Sequence, residues 1–531
     1  MKNYFTLLFF LLPFLGFSQS SPLCGYKVFK GDQTSTDSSI REFTKVVTLV
    51  DGNVVYAGQA DEGADANFSL TKTTNEGTIL WQKVIGTDGL DVLKNFIITN
   101  DGGFVLVGWT TATGGTDPSD AIVIRCDPQG EVLWSKQIGG ADDDEGFNAT
   151  ELTNGDLIVT GSTFSFGPKL KNAFAAKITS TGELVWCKGF AKGIYNYFID
   201  AIALPNNEAI LCGYTWVTTG SSVFDPMFVK VDSDGTVIWS KWIKMTGSQI
   251  VYDFEKDLDG GIVYAGVSST IGKNQNFIAK ISVDGVHQWA KLFGTPNGDR
   301  VWDLAVAPSG HYLTAGFTDK TSLDNSPRNG FMARLTSTGV FEEAIQYGAE
   351  NDTTSTTFTG IAISGEYAFA TGLTYLYGNT TGAGISSKLV ALDFSQNCSS
   401  SPVSMPSTNL TAVDSMGVIG QNGGVIVESS VNSSVNNLIV EDICVFTGLE
   451  DKVNRNKPLL YPNPSSRLFS IQLPQAIQST LLLFSSDGRK QMEQFQNGDH
   501  FNLDLQSLPS GLYHVKVNYG SKVFQTSLVK K

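Results

Sequence analysis

A single hairpin recurs along the chain and limits what it can fold into. "DAIVIRCDPQGEVLWSKQIGG" runs from Asp120 to Gly140, and near-copies end at Gly86, Phe190, Ile243 and Gly294. Each copy is an apolar strand, a tight turn closed by glycine, and a second strand carrying Trp-x-Lys. The tryptophans are Trp81, Trp134, Trp186, Trp239 and Trp289, with Phe341 in the sixth place. Ahead of each hairpin stands another strand pair, such as "DVLKNFIIT" and "FVLVGW" joined by a tight turn. The glycine ending each second strand sets the register: Gly58, Gly108, Gly161, Gly213, Gly266, Gly316 and Gly372, at spacings of 50, 53, 52, 53, 50 and 56.

Four short antiparallel strands per repeat predict the blades of a β-propeller. A blade packs on neighbours through both faces, so its second strand is apolar on both sides, as "FVLVGW", "AILCGY" and "GIVYAGV" are. A solenoid would expose such strands at its ends. The predicted fold class is all-β: a seven-bladed propeller over 20–398, one blade per marker glycine. The seventh repeat lacks an outer strand after "SKLVALDFSQNC", while a stray copy, "LCGYKVFKGD", lies at Leu23 to Asp32. The N-terminal strand is therefore expected to close the ring. The repeated tryptophan reads as packing between blades rather than as a row of sugar-stacking platforms, because each buried aromatic removes about 150–250 Å² from water. From Leu23 to Asn397 the pattern resembles bacterial surface propeller repeats, which implies a fold and no activity.

The first 19 residues, "MKNYFTLLFFLLPFLGFSQ", read as a secretory signal peptide: Lys2, an apolar run, then small and polar residues. No other run reaches the length of a transmembrane helix. Net charge is −15, which repels phosphate backbones and argues against nucleic acid as a partner. Export permits disulfides. Of six cysteines, Cys126, Cys187 and Cys212 fall in predicted strands and read as small buried groups, whereas Cys398 and Cys444 bracket an irregular segment. A Cys398–Cys444 bridge is expected, with Cys24–Cys398 as the alternative.

After a Ser/Asn/Val-rich β linker at 399–455, expected to be a small strand pair or a stalk, the chain changes character. Short alternating strands with Pro, Gly and Asp turns over 456–531 predict a small Ig-like β-sandwich. "YPNP" (Tyr461, Pro462, Asn463, Pro464), "SSDGR", "LPSGLYHVKV" with Gly511 and Tyr513, and the terminal Lys530 and Lys531 occur in that order. This segment resembles the type A C-terminal sorting domain of the type IX secretion system of Bacteroidetes. The resemblance implies the secretion machinery as a partner, passage through the periplasm, and removal of the tail. It further implies attachment to surface lipopolysaccharide or release.

Chemistry is sparse. The four histidines, His287, His311, His500 and His514, are scattered, and no P-loop, dinucleotide fingerprint or Cys-x-x-Cys pair occurs. In a four-stranded meander the one–two and three–four turns share one end, here uniformly tight. The two–three and inter-repeat loops share the other, here long and variable. A binding site is expected at the variable end, near the channel mouth. Its inter-repeat loops are acidic: Asp142 lies in "GGADDDEG", and Asp91, Asp144 and Asp299 each stand five residues after a strand-ending glycine. These four are the candidate ligands for a hard cation such as calcium. A paired-acid active site is another use of such loops, and a turn-capping role for the recurring aspartate is the plainest. The resulting expectation is a surface binding or adhesion module for a glycan or protein, leaning away from an enzyme. The alternative is a polysaccharide-active hydrolase or lyase using the acidic loops.

Overall fold

The computed structural model describes residues 25–31, 39–389 apart from 63–64, 76, 112–117, 217–222, 272, 322–326, 348–354, 366 and 375–382, seven strand segments between 401 and 441, and 459–530 apart from 462–467, 486–488 and 520–521. The signal-peptide segment, Cys24, Cys398, Cys444, Pro462, Asn463, Pro464 and Lys531 lie outside the described residues. The chain divides into two compact units, 1–445 and 446–531.

The first unit is all-β, built from antiparallel sheets of the kind that form propeller blades. Each sheet takes four strands in chain order: sheet 1 spans 39–86, sheet 2 91–139, sheet 3 144–191, sheet 4 195–245, sheet 5 249–293 and sheet 6 299–347. Sheet 7 has three such strands over 356–389, and its fourth is Gly25–Gly31, antiparallel to Ala383–Leu389 with Val28 facing Ile385. Turn chemistry explains the regularity of the hairpins. Gly130, Gly182 and Gly235 adopt positive φ, and their N–H groups donate to Asp127, Thr179 and Asp232 carbonyls three residues back. Asp127 and Asp232 side chains accept two further amides each within the turn.

Those turns receive the repeated tryptophan. Trp81 lies against Gly130 of the next sheet, Trp134 against Gly182, Trp186 against Gly235, Trp239 against Gly285 and Trp289 against Gly339. A methyl placed on any of these glycines would fall within 3.1 Å of the ring. The indole N–H of Trp134 donates to Ser180 O at 3.0 Å and that of Trp186 to Ser233 O at 3.1 Å. The lysine two positions on also reaches the next turn: Lys83 pairs with Glu131 at 2.6 Å, and Lys188 donates to Asp234 O at 2.8 Å. Trp-x-Lys is thus a docking motif between consecutive sheets.

Apolar side chains fill the spaces between sheets. Phe68 and Phe96 lie in the core shared by sheets 1 and 2, Phe228 and Phe254 in that of sheets 4 and 5, and Ala315 and Phe358 in that of sheets 6 and 7. A further core joins Phe43, Val46, Val54 and Tyr56 of sheet 1 to Phe369 of sheet 7. Second strands are buried on both faces, as their composition predicts. Cys126, Cys187 and Cys212 are buried, free thiols.

The region 401–441 departs from expectation. It forms neither a strand pair nor a stalk. It runs back along the outer edges of the sheets and adds a fifth strand to each in descending order. Ser401–Pro402 joins sheet 6, Ser407–Asn409 sheet 5, Ala412–Ser415 sheet 4, Ile419–Asn422 sheet 3, Val425–Glu428 sheet 2 and Asn432–Ser434 sheet 1. Leu438–Glu441 then pairs with Gly25–Gly31, which is held on both edges. The physical reason is the outer edge itself: an unpaired strand presents a row of free N–H and C=O groups that any extended segment can satisfy.

In the second unit, Leu468–Ser485 and Lys490–Asp504 are long enough to run through two halves of one sheet, with a register shift between Gln472 and Ile477 where the halves meet. Leu468–Ser485 pairs with Leu459–Tyr461, Lys490–Asp504 and Gly511–Tyr519, and the last pairs with Lys522–Lys530. Both halves share one core, with Phe469, Leu483, Phe501, Val515 and Leu528. The Tyr513 hydroxyl donates to Pro509 O at 2.7 Å, and the buried Lys530 ammonium donates to Leu508 O and Gln506 O. Two residues of the predicted sorting pattern therefore fix the Leu508–Gly511 turn.

Candidate binding face

A β-bulge in the first strand of every sheet builds the interior. Register shifts fall at Phe43/Lys45, Leu93/Asn95, Gly146/Asn148, Phe198/Asp200, Val251/Asp253, Val301/Asp303 and Phe358/Gly360. The residue after each bulge is polar except Gly360, and six of the seven stand thirteen residues before the marker glycine. These groups meet. Lys45 of sheet 1 pairs with Asp303 of sheet 6 and lies 3.5 Å from Asp253 of sheet 5. Asn148 donates to Asp200 at 2.7 Å, Leu304 N to Asp253 at 2.9 Å and Ala201 N to Asp200 at 2.6 Å. Burial opposes the charge on Lys45, but Asp253 and Asp303 outweigh it and hold the ammonium above its usual range. Burial raises Asp200 to about 7, partly countered by the Ala201 amide and Lys45, and raises Glu255 to about 8. This cluster is internally satisfied and ties sheets 1, 5 and 6 together.

On the other side of the bulge, toward the variable loops, the lining becomes aromatic and cationic. The two–three loops and inter-sheet connections do share an end: Phe164 N bonds Asp143 O, Ile194 N bonds Trp216 O and Asp319 N bonds Gly298 O. The bulged residues include Lys94, Phe147, Tyr252 and Trp302; half-buried Glu145 and Arg300 precede Phe147 and Trp302 on their strands, and half-buried Tyr195 and Tyr197 precede the bulge of Tyr195–Ala203. Tyr197 stacks on Tyr214 with ring centroids 4.8 Å apart and Tyr195 on Trp216 at 5.1 Å. Phe224 edges against Tyr214 at 5.5 Å, and Tyr252 lies 4.4 Å from Trp302. Lys171 sits 4.9 Å over Tyr197 and pairs with Glu145 at 3.2 Å. Burial raises the Tyr197 phenol to about 12, so it is a neutral donor. Stacked faces interleaved with donors suit ring-shaped, hydroxyl-rich ligands.

The sequence-predicted acids are placed elsewhere. Asp91, Asp144 and Asp299 are buried at the starts of three different sheets. Asp91 accepts Thr87 N at 2.6 Å, Asp299 accepts Thr295 N at 2.6 Å, and Asp144 accepts the Ser165 hydroxyl at 2.7 Å. Asn196 does the same work in sheet 4, taking Lys192 N at 2.8 Å. The recurring position is a turn latch. Asp142 is exposed beside it, with its amide on Ser165. The four are not brought together as ligands, and no group of three metal-binding side chains occurs among the described residues. Burial raises Asp299 to about 7. Tyr195, Tyr197, Trp216, Tyr252, Arg300 and Trp302 escaped the sequence reading. For all but Trp216, which ends a second strand, the signal was "YNYFIDA", "VYDFEKD" and "RVWDLAV" at first strands, visible once those strands are aligned on the marker glycine.

Residues 459–531 match the family described as the secretion system C-terminal sorting domain. That segment is a type IX sorting domain, which implies export to the cell surface or secretion and contact with the secretion machinery. No curated protein matches the chain. Among solved structures, it is similar to PorZ, a surface component of the type IX secretion system of Porphyromonas gingivalis, at 11% identity and TM-score 0.39, covering 92% of this chain and 59% of that one. It is similar to the plexin A4 extracellular region at 8% identity and TM-score 0.40, covering 95% and 76%. A puromycin hydrolase mutant aligns at 12% identity and TM-score 0.37, covering 62% and 50%. The chain thus spans about three fifths of the PorZ structure. No helix among the described residues is long and apolar enough to cross a membrane.

Proposed function

We propose that this is an exported seven-bladed propeller acting as a cell-surface binding module for polysaccharide. In this account residues 20–398 form the ring, and Gly25–Gly31 closes it on the seventh blade. The 399–455 region straps the outside, and 456–531 directs export and is then removed. Pairing of the N-terminal strand with the last sheet and the core shared by sheets 1 and 7 support closure. The observation that carries the function is the aromatic and cationic lining at the variable end, from Phe147 and Tyr197 to Tyr252 and Trp302. The acidic loops that an enzyme reading would use are engaged in turns, with Asp143 accepting Ser119 N and Asp144 held by Ser165. Attachment to surface lipopolysaccharide is the retention mode this account expects.

The test is equilibrium binding of the secreted chain to a polysaccharide panel, with the supernatant assayed for released oligosaccharides. Saturable binding without products, weakened by Tyr197→Ala, supports the module. Product release would replace it with the hydrolase or lyase reading, and absence of binding across the panel would refute it.

A further inference from the structure

Arg300 is a cation of the lining that is held by aromatic faces. Its guanidinium rests among three rings, 5.7 Å from the Tyr252 centroid, 5.3 Å from Trp302 and 5.7 Å from Phe317. Among the described residues it has no carboxylate partner, although the protein carries a net charge of −15. Lys171 is the internal comparison: it too lies over a tyrosine, but Glu145 neutralises it at 3.2 Å. Near Phe317, Arg328 is likewise matched, with Asp319 at 3.5 Å. Two donors at Arg300 are also left over. Its Nε and the indole Nε1 of Trp302 are out of contact with water and have no protein acceptor. A buried donor without a partner costs about 1–3 kcal/mol, more when charged. The two donors come from residues two apart on one strand, with the Arg300 guanidinium 5.3 Å from the Trp302 ring, and neither has an acceptor.

We infer that Arg300, Trp302 and Tyr252 form a subsite for the carboxylate of an acidic sugar, the pyranose ring lying against the aromatic faces. This rests on the polysaccharide-binding reading and names its ligand class. A carboxylate fits for geometric reasons. The guanidinium fork meets two coplanar oxygens, and a second N–H donor stands on the adjacent indole. A neutral sugar would leave the charge unmatched. The rings supply stacking area and a low-dielectric surround in which the ion pair is stronger than in water.

The test uses the full chain and three oligosaccharide probes of equal length: polygalacturonate, its methyl ester, and a sulfated neutral glycan. The acidic oligomer is expected to bind about ten- to a hundredfold more tightly than its ester, the range of a charge-assisted pair. Arg300→Gln is expected to abolish the preference for acid over ester, and Arg300→Lys to restore part of it. Trp302→Phe, which keeps a ring and removes the donor, should lower affinity for the acid more than for the ester. Near-ultraviolet circular dichroism of each variant confirms the fold. Equal binding of acid and ester, with Arg300→Gln silent, overturns the subsite and leaves the module standing. Equal or tighter binding of the sulfated probe overturns the carboxylate assignment. Failure of all three probes to bind overturns both.

Discussion

Replacing Trp134 by alanine probes the contact that makes the hairpin recur. The ring is half-buried against the Gly182 turn of the next sheet and donates to Ser180 O at 3.0 Å. Half the area of a tryptophan is about 100 Å², which at about 25 cal/mol per Å² is about 2.5 kcal/mol. The lost hydrogen bond adds about 1 kcal/mol. Trp134→Ala should therefore destabilise the protein by about 3.5 kcal/mol, and Trp134→Phe by about 1 kcal/mol. Urea unfolding followed by tryptophan-independent circular dichroism measures both. The reciprocal change is Gly182→Ala, which adds a methyl at φ 89° within 3.1 Å of the indole. Part of its cost is a clash, and that part vanishes when Trp134 is already alanine. The double-mutant cycle should show coupling above about 0.5 kcal/mol. Additive effects, or a Trp134→Ala loss below about 0.5 kcal/mol, would refute inter-sheet docking and return the tryptophan to the surface as a ligand platform.

Deleting 399–445 exposes the outer edges of the sheets that the seven strap strands cover. The deletion variant should aggregate and be nicked by protease near Gly25–Gly31 faster than the intact chain, measured by light scattering and timed proteolysis; equal behaviour would show that the strap does not protect the edges. Burial raises Asp299 to about 7, so between the unfolded carboxylate value near 4 and 7 the folded state holds a proton that the unfolded state lacks. Stability from this site is therefore lost as pH rises through that window and levels off above it. Asp299→Asn should fold, as Asn196 fills the same latch, and should lose less stability between about pH 5 and about pH 8. An unchanged pH slope would contradict the buried-acid account.

The architecture was legible because its period rests on residues that admit few substitutes: a turn glycine at positive φ, an indole that fits over it, and second strands apolar on both faces. The N-terminal strand was legible for the same reason, since "YKVFKG" repeats the outer-strand pattern at 25–31 with Gly25 in the tryptophan's place. The strap was not. Its strands are two to four residues long and pair through backbone groups, which leave no side-chain periodicity. The turn-capping role of the recurring aspartate was the plainest reading and holds; the cation reading stood beside it because a buried latch and a metal ligand use the same side chain, and the difference lies in whether Thr87 or Thr295 already supplies the N–H. The aromatic lining was hidden by the bulges. A bulge turns one extra residue toward the interior and breaks the two-residue alternation from which facing is read, so alternation did not single out Tyr252 and Trp302.

Closure of the ring is the claim on which the mouth, its lining and the subsite all depend. The direct measurement is a disulfide cross-link between Val28→Cys and Ile385→Cys, which face each other across the Gly25–Gly31 and Ala383–Leu389 pairing, in a chain with Cys24, Cys398 and Cys444 changed to serine. Mild oxidation is predicted to give an intramolecular bond in nearly all molecules, detected by mass of the linked peptides and by a compact band on a non-reducing gel. Free thiols, or links only between chains, would contradict closure through the N-terminal strand.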